Sequence, residues 1–449
     1  MLTGAGTAAS PNLAAPKPRA GREVWWGRLG TVLRFSTGQV ALQGITAVAG
    51  LCLVRWLTVA DYAVYGLSLT LQSALGLIVD LGVTSAIMAL TGGQYGDSGV
   101  LGGYIRAGLR LRSRLLILGA AAGAGAVYVI GKRQHWPWAT EALVLAVVIS
   151  GILVQFWVSI YGVPLILNQR LTGYYGVLAG AAGLRLIAVF ALRWCGLLRA
   201  GPALAAGTAA TFGAALTLRH LSRTHWEADG AVDPRAQTRI VKYIAPRAPL
   251  VVFQSLQGQM ALFAVSYFGS PKPMAETGAL GRLGQLFTLL NAFNWMVLGP
   301  RFARTAEEAL LPLYLKTAGI ASGISTLAAG AAFLWPGPLL WLIGPRYQNL
   351  EGPLRYVAAA ACVAYVSTLL LVIHNNRQWV FWWSAWLEIG LVMGVQAGSF
   401  WALNLGTTLG ASQMAFYTSI AILLVQVLVG WSSLTRRRHA AALTYDSGT

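Results

Sequence analysis

The chain has 449 residues, 56% of them hydrophobic and only 10% charged, with a formal net charge of +19. Soluble domains carry about a quarter charged residues, so this composition excludes an ordinary soluble architecture and marks a membrane protein. The 3 cysteines and 5 histidines are scattered, without the spacing of a zinc site or a disulfide framework. Cys52, Cys195 and Cys362 therefore read as small core residues.

Residues 1–28 are rich in Ala, Gly and Pro, lack the apolar run of a secretory signal, and read as a disordered basic cytoplasmic tail. Apolar segments of a length that suits a bilayer core of about 30 Å then recur along the chain. Spans are expected over 32–55, 62–90, 106–131, 140–167, 174–197 and 201–220, within a first unit covering 29–221. A second unit, 241–433, holds expected spans over 242–268, 276–300, 311–343, 353–374, 378–403 and 409–432. The longest polar connection, "HLSRTHWEADGAVDPRAQTR", divides these spans six and six, so 222–240 reads as an inter-lobe loop and 434–449 as a closing tail. Basic residues cluster at alternate span ends, about twenty-one on the side of the amino terminus and about eight on the other. The positive-inside rule then puts both termini and the inter-lobe loop in the cytoplasm, and it accounts for the net charge without nucleic acid.

The first hairpin reads "VRWLTVADYAVYGLSLTLQSALGLIVDLGVTSAIM". Thr58 and Asp61 fit a capping box that starts the second span at once, and Tyr62 and Tyr65 suit the membrane interface. On these grounds the hairpin orients helices and performs no chemistry. Tyr65-Gly66-Leu67 has a faint echo in Thr277-Gly278-Ala279 of the second half, a sign of an internal repeat.

The hairpin resembles that of the Wzx-type polysaccharide flippases, in the multidrug/oligosaccharidyl-lipid/polysaccharide (MOP) exporter superfamily. The residues that carry the likeness are Arg55, Asp61-Tyr62, Tyr65-Gly66 and Asp80-Leu81-Gly82, with Ala63 where that family commonly has glycine. "LILNQRLTGYYGVLAGAAGLRLIAVFAL" is similar to the family's fourth-to-fifth span connection, and "PLLWLIGPRYQNLEGPLRYVAAAA" to its Gly-x-x-Tyr segment before the tenth span. The resemblance implies an all-α, MATE-like integral membrane protein of about twelve transmembrane helices in two six-helix lobes. It further implies a flippase for polyprenyl-diphosphate-linked oligosaccharide in a bacterial inner membrane, serving surface or exported polysaccharide biosynthesis. Membrane lipids, a polysaccharide polymerase and chain-length proteins would be its partners.

Charges within spans carry the site expectations, because an ionisable group at mid-bilayer costs roughly 2.5–3.5 kcal/mol on insertion scales and needs a partner or a watery cavity. Arg185 lies near the middle of the fifth expected span, Arg282 in the outer part of the eighth, and Arg247 between Pro246 and Pro249. Arg34, near the start of the first span, is less informative. Guanidinium binds phosphate oxygens in bidentate fashion, so Arg185, Arg282 and Arg247 are expected to line a cavity between the lobes and hold a diphosphate. The alternative is pairing with Asp80, Glu388 or backbone carbonyls. Arg106, Arg110 and Arg114, four residues apart with Arg112 beside them, share a helical face suited to recruiting anionic headgroups, although topology by the positive-inside rule is the simpler account of it. Asp80 and Glu388 are candidates for ion coupling or for structural roles. Trp379, Trp382, Trp383 and Trp386 form either an interfacial belt or a sugar-stacking face.

No Walker loop, metal cluster or nucleophile elbow occurs, so neither a cofactor nor an enzymatic activity is expected. Two rivals stay open, a MATE-type drug/cation antiporter and a membrane polysaccharide polymerase or glycosyltransferase. The sign of the cavity's charge separates the antiporter from the flippase.

Overall fold

A computed structural model describes residues 21–92, 96–227, 233–245, 248–284, 286–294, 298–377, 379 and 381–446. Among these residues the secondary structure is helical throughout, without a strand. The first half contains α1 (Gly21–Trp56), α2 (Val59–Asp80), α3 (Val83–Thr91), α4 (Ser98–Arg133), α5 (Trp138–Leu167), α6 (Leu171–Trp194) and α7 (Ala200–Ser222). A linking helix, α8 (Pro234–Ile244), follows. The second half contains α9 (Ala248–Gln257), α10 (Met260–Phe268), α11 (Pro271–Gly284), α12 (Leu286–Phe293), α13 (Gly299–Arg304) and α14 (Glu307–Leu334). It ends with α15 (Pro336–Ile343), α16 (Glu351–Asn376), α17 (Trp382–Ala402) and α18 (Thr408–Asp446).

Nine helical stretches among the described residues, one of them α2 with α3, are long and apolar enough to cross a bilayer, and α9 with α10, bent by 51°, makes a tenth when the pair is taken as one span. The pair α11 and α12 occupies the expected eighth place and α17 the eleventh. The described pieces α11 and α12 are 14 and 8 residues long, and α17 carries Glu388 and Gln396 inside an otherwise apolar helix.

Several boundaries differ from the sequence reading, each for a local cause. The expected span 62–90 is two helices, because Leu81 (φ 41°) and Gly82 (φ 81°) both take left-handed backbone and end α2. α4 begins at Ser98 rather than at 106, since the Asp97 carboxylate accepts the Gly99 and Val100 amides at 2.9 and 3.0 Å and caps it. The expected span 311–343 divides into α14 and α15 at Trp335, with Pro336 opening the second helix. α1 begins at Gly21 and α18 runs to Asp446, so helix enters both stretches expected as tails. Cys195 is exposed at the end of α6 rather than in a core, whereas Cys362 is buried.

Thr58 caps α2 as the sequence indicates, accepting the Asp61 amide at 3.1 Å. The Asp61 carboxylate accepts the Thr58 hydroxyl at 2.6 Å and the Ala200 amide at 3.0 Å, and so ties the start of α2 to the start of α7. In the inter-lobe segment, α8 is amphipathic: Ala236, Ile240 and Ile244 are buried, and the helix packs on α3 and α4 of the first lobe. Arg239 on its outer face donates to the Tyr104 hydroxyl at 3.3 Å. Exposed tryptophans lie near span ends, among them Trp138, Trp194, Trp335 and Trp401 at one end and Trp382, Trp386 and Trp431 at the other. This is the distribution of two interfacial belts.

Candidate functional site

A cavity of about 730 Å³ lies within the first lobe, walled by α2, α3, α4, α5, α6 and α7. Its volume falls in the range of small-molecule sites, about 300–1,000 Å³. The wall is rich in uncharged polar groups, including Gln72, Ser73, Ser85, Gln155 and Thr208. Gly151 makes room for one of them: a Cβ there would lie 2.5 Å from the Gln72 amide, which donates to the Val147 carbonyl at 2.9 Å. The charged side chains on the wall are Asp80, Arg112 and Arg185.

Asp80 and Arg112 are joined. Arg112 is 1% exposed and forms an ion pair with Asp80, itself 30% exposed. The guanidinium also donates to the Phe156 carbonyl at 3.2 Å and to the Ser159 and Thr84 hydroxyls at 2.6 Å each. Asp80 sits at the α2–α3 break and accepts the Thr84 hydroxyl at 2.8 Å. The Asp-Leu-Gly segment therefore bends the span and aims its carboxylate at α4. Arg112, which the sequence reading placed only beside a cationic face, is the buried cation. Its position two residues off the 106/110/114 stripe is the signal, because that offset turns it about 160° from Arg110 and toward the lobe interior.

Arg185 is the cavity's remaining charge. One guanidinium nitrogen donates to the Tyr65 hydroxyl, and its Nε is buried without a hydrogen-bond partner. Arg185, Gln155 and Thr211 also line a second cavity of about 370 Å³ that reaches Gln43 and Thr46 of α1, so Arg185 stands on the wall between the two. Every lining residue of both cavities comes from α1 to α7. The expectation that Arg185 lines a cavity between the lobes is corrected accordingly.

Arg282 is placed elsewhere. It reaches from α11 across the lobe boundary, donates from Nε to the Tyr62 hydroxyl at 3.3 Å, and lies over Gly50 of α1, where an added Cβ would sit 3.6 Å from its Cδ. It does not line the cavity that holds Arg185. Arg247 lies outside the described residues. Tyr62 and Tyr65 are fully buried, not interfacial as expected, with ring centroids 6.0 Å apart in a stacked arrangement. Tyr62 also donates to the Gly278 carbonyl at 3.4 Å, so the two segments of the faint repeat meet across the lobe boundary.

Other contacts join the lobes at the same end. Arg55, in the last turn of α1, donates to the Leu342 carbonyl at 3.1 Å and to that of Trp341, whose ring lies 4.9 Å from the guanidinium carbon. Arg346 returns the arrangement, donating to the Leu57 carbonyl at 2.6 Å. Each arginine thus sits on the carbonyl-rich end of the helix from the opposite lobe, where the helix dipole favours a cation. Gly344 (φ 119°) is needed here, since a Cβ would press on Arg55 Cγ at 3.2 Å. Gln134 adds bonds to the Ser266 and Gly269 carbonyls at 2.8 and 2.9 Å.

Of the headgroup candidates, Arg110 and Arg114 are exposed, while Arg106 is half-buried and donates to the Glu227 carbonyl of the inter-lobe segment. They lie about 12 to 24 Å along α4 from Ser98, at 1.5 Å per residue, and the charge-free stretch 115–131 follows. In the second lobe, Glu388 is 7% exposed and has no arginine partner among the described residues. The Gln254 and Gln426 amides donate to its two oxygens at 3.2 Å each. The Gln426 side chain continues to His374 Nδ1 at 3.0 Å, and His374 Nε2 lies 3.4 Å from the Tyr314 hydroxyl. Trp379 is buried against His374, with centroids 5.6 Å apart, whereas Trp382, Trp383 and Trp386 are exposed; the tryptophan run is therefore not a single face.

Solved structures match this arrangement over nearly the whole chain. An inward-facing multidrug resistance MATE family transporter of the MOP superfamily superposes with a TM-score of 0.63 at 13% identity, covering 93% of this chain and 100% of that one. The two chains share one fold. A lipid II flippase, MurJ, in its inward closed conformation gives a TM-score of 0.65 at 11% identity over 89% of this chain and 87% of its own. An outward-facing MATE transporter gives 0.61 at 14% identity over 92% and 96%. The all-α, two-lobed architecture expected from the sequence is thus borne out. No protein-family model matches the chain. No curated protein matches it either.

Proposed function

We propose that this protein is a flippase for the polyprenyl-diphosphate-linked oligosaccharides of surface polysaccharide synthesis, of the Wzx type, working by alternating access in a bacterial inner membrane. The observation that carries the reading is the sign of the first-lobe cavity. Its carboxylate, Asp80, is already matched by Arg112, which leaves Arg185 as the cation without a carboxylate partner among the described lining residues. Such a site attracts an anion. The guanidinium offers paired donors to a phosphate in exchange for the Tyr65 hydroxyl, and the surrounding amides and hydroxyls suit sugar hydroxyls. A MATE-type antiporter of organic cations would need an unmatched carboxylate there. The solved flippase of similar fold acts on lipid II by its title, which lends support to a lipid-linked headgroup.

In this reading the units 29–221 and 241–433 rock about the bound headgroup, with both termini and the loop 222–240 cytoplasmic. The prenyl chain stays in the bilayer, and Arg110 and Arg114 gather anionic headgroups on the cytoplasmic side. Glu388, held by neutral amides, is the candidate coupling group. Transport, rather than catalysis, is the task the polar cavity serves, with polymerase and chain-length proteins acting downstream. Reconstituted protein should move a fluorescent polyprenyl-diphosphate glycan between vesicle leaflets, and Arg185→Ala should abolish that movement while insertion is unchanged. Equal movement of an organic cation with no movement of the glycan would favour the antiporter.

A further inference from the structure

We infer that Tyr65 and Tyr62 form the mechanical link by which a ligand at Arg185 loosens the contact between the lobes. The inference rests on the proposal that an anion binds Arg185. A continuous chain of contacts connects the two: Arg185 of α6 donates to Tyr65, Tyr65 stacks on Tyr62 and itself bonds Arg282, and Tyr62 holds Arg282 and the Gly278 carbonyl of α11. Of these four side chains, Tyr65 and Arg185 line the cavity, while Tyr62 and Arg282 form the inter-lobe contact.

The two tyrosines stand three residues apart on α2, on one helical face, and both are fully buried. Close-packed side chains shift between discrete arrangements rather than deforming continuously, so a move of one ring must displace the other. A phosphate offers Arg185 a charged, bidentate acceptor in place of one neutral hydroxyl, and the guanidinium will turn toward it. Tyr65, whose hydroxyl also bonds Arg282, then loses its bond from Arg185, and the pair shifts from the position in which Tyr62 grips Arg282 and Gly278. The reciprocal clamp of Arg55 and Arg346 lies at the same end and donates to backbone carbonyls. Coupling requires that the ligand bias one of two arrangements, and this chain supplies the element that differs between them. Tyr62 and Tyr65 are positioning residues; neither needs to touch the glycan.

The test uses full-length protein in nanodiscs, with the 3 native cysteines replaced by serine and spin labels at Arg199→Cys and Lys272→Cys, exposed positions on opposite lobes at the joined end. Undecaprenyl diphosphate is the probe, and its affinity and the inter-label distance are measured separately. The parent protein should lengthen its main distance on probe binding. Tyr62→Phe, which leaves the cavity wall intact, should bind the probe within about threefold of the parent yet show the longer distance before any probe is added. Tyr65→Phe should also show the longer distance before any probe is added, with no further change on adding probe. If Tyr62→Phe and Tyr65→Phe keep the parent's short distance and its full response to the probe, the inference is overturned. If Arg185→Ala binds the probe as tightly as the parent, the anion reading fails instead. The probe-free distances of the tyrosine variants still decide the link between Tyr62 and the lobe contact.

Discussion

Asp80→Asn should destabilise the protein more than Arg112→Met does. Arg112 is 1% exposed, so removing the Asp80 charge strands a cation that water cannot reach. Breaking a buried pair by removing one partner costs about 3–5 kcal/mol. The bonds to Phe156, Ser159 and Thr84 remain, but they are bonds to neutral acceptors and leave the charge uncompensated. The reverse change is gentler, because Asp80 is 30% exposed on the cavity and can be hydrated. Ser159 and Thr84 keep other partners, the Phe156 carbonyl at 2.9 Å and Asp80 at 2.8 Å, and methionine fills most of the vacated volume. The expected cost of Arg112→Met is therefore about 1–2 kcal/mol, that of the lost hydrogen bonds. The double variant should cost less than Asp80→Asn alone, since no charge is left buried. Thermal midpoints of purified protein, followed by fluorescence-detected size exclusion, give the ranking. An Arg112→Met midpoint at or below that of Asp80→Asn would refute the reasoning from unequal burial.

Arg55→Ala with Arg346→Ala removes both arms of the inter-lobe clamp and should increase labelling of a cysteine placed at the half-buried Leu342; unchanged labelling would mean that the clamp does not hold the lobes. Glu388→Gln fixes one charge state and should slow transport at equal expression, so wild-type flux in that variant would remove Glu388 from the coupling step. For topology, a cysteine at Asp233 should be protected from an impermeant reagent in intact cells while one at Lys272 reacts. Rapid reaction at Asp233 would reverse the proposed orientation.

Much of the architecture was legible because hydropathy and charge act locally. Apolar length sets the spans and Thr58 starts α2, whereas the Asp97 cap that starts α4 early and the division at Pro336 were passed over inside longer apolar stretches. The site was legible only in part. Arg185 stood out because its depth in a span demands a cavity or a partner, and it does line a cavity. Arg112 did not, since it sits among three other arginines near a span end and its partner is 32 residues away at a kink that only Leu81 and Gly82 reveal. Tyr62 and Tyr65 read as interfacial because they follow a polar turn. Their burial comes from α11 packing over α2, a long-range contact with no local trace apart from the Gly278 echo. The partners of Glu388 were hidden for the same reason: Gln254 and Gln426 are ordinary residues in their own helices until packing turns them inward.

The most direct test of the cationic-cavity account is binding of undecaprenyl diphosphate to purified Arg185→Ala and Arg185→Lys, measured beside wild type at equal folding and insertion. The account predicts a large loss of affinity in Arg185→Ala and only partial recovery in Arg185→Lys, because lysine keeps the charge but loses the paired donors of guanidinium. Affinity in Arg185→Ala equal to that of wild type would contradict it.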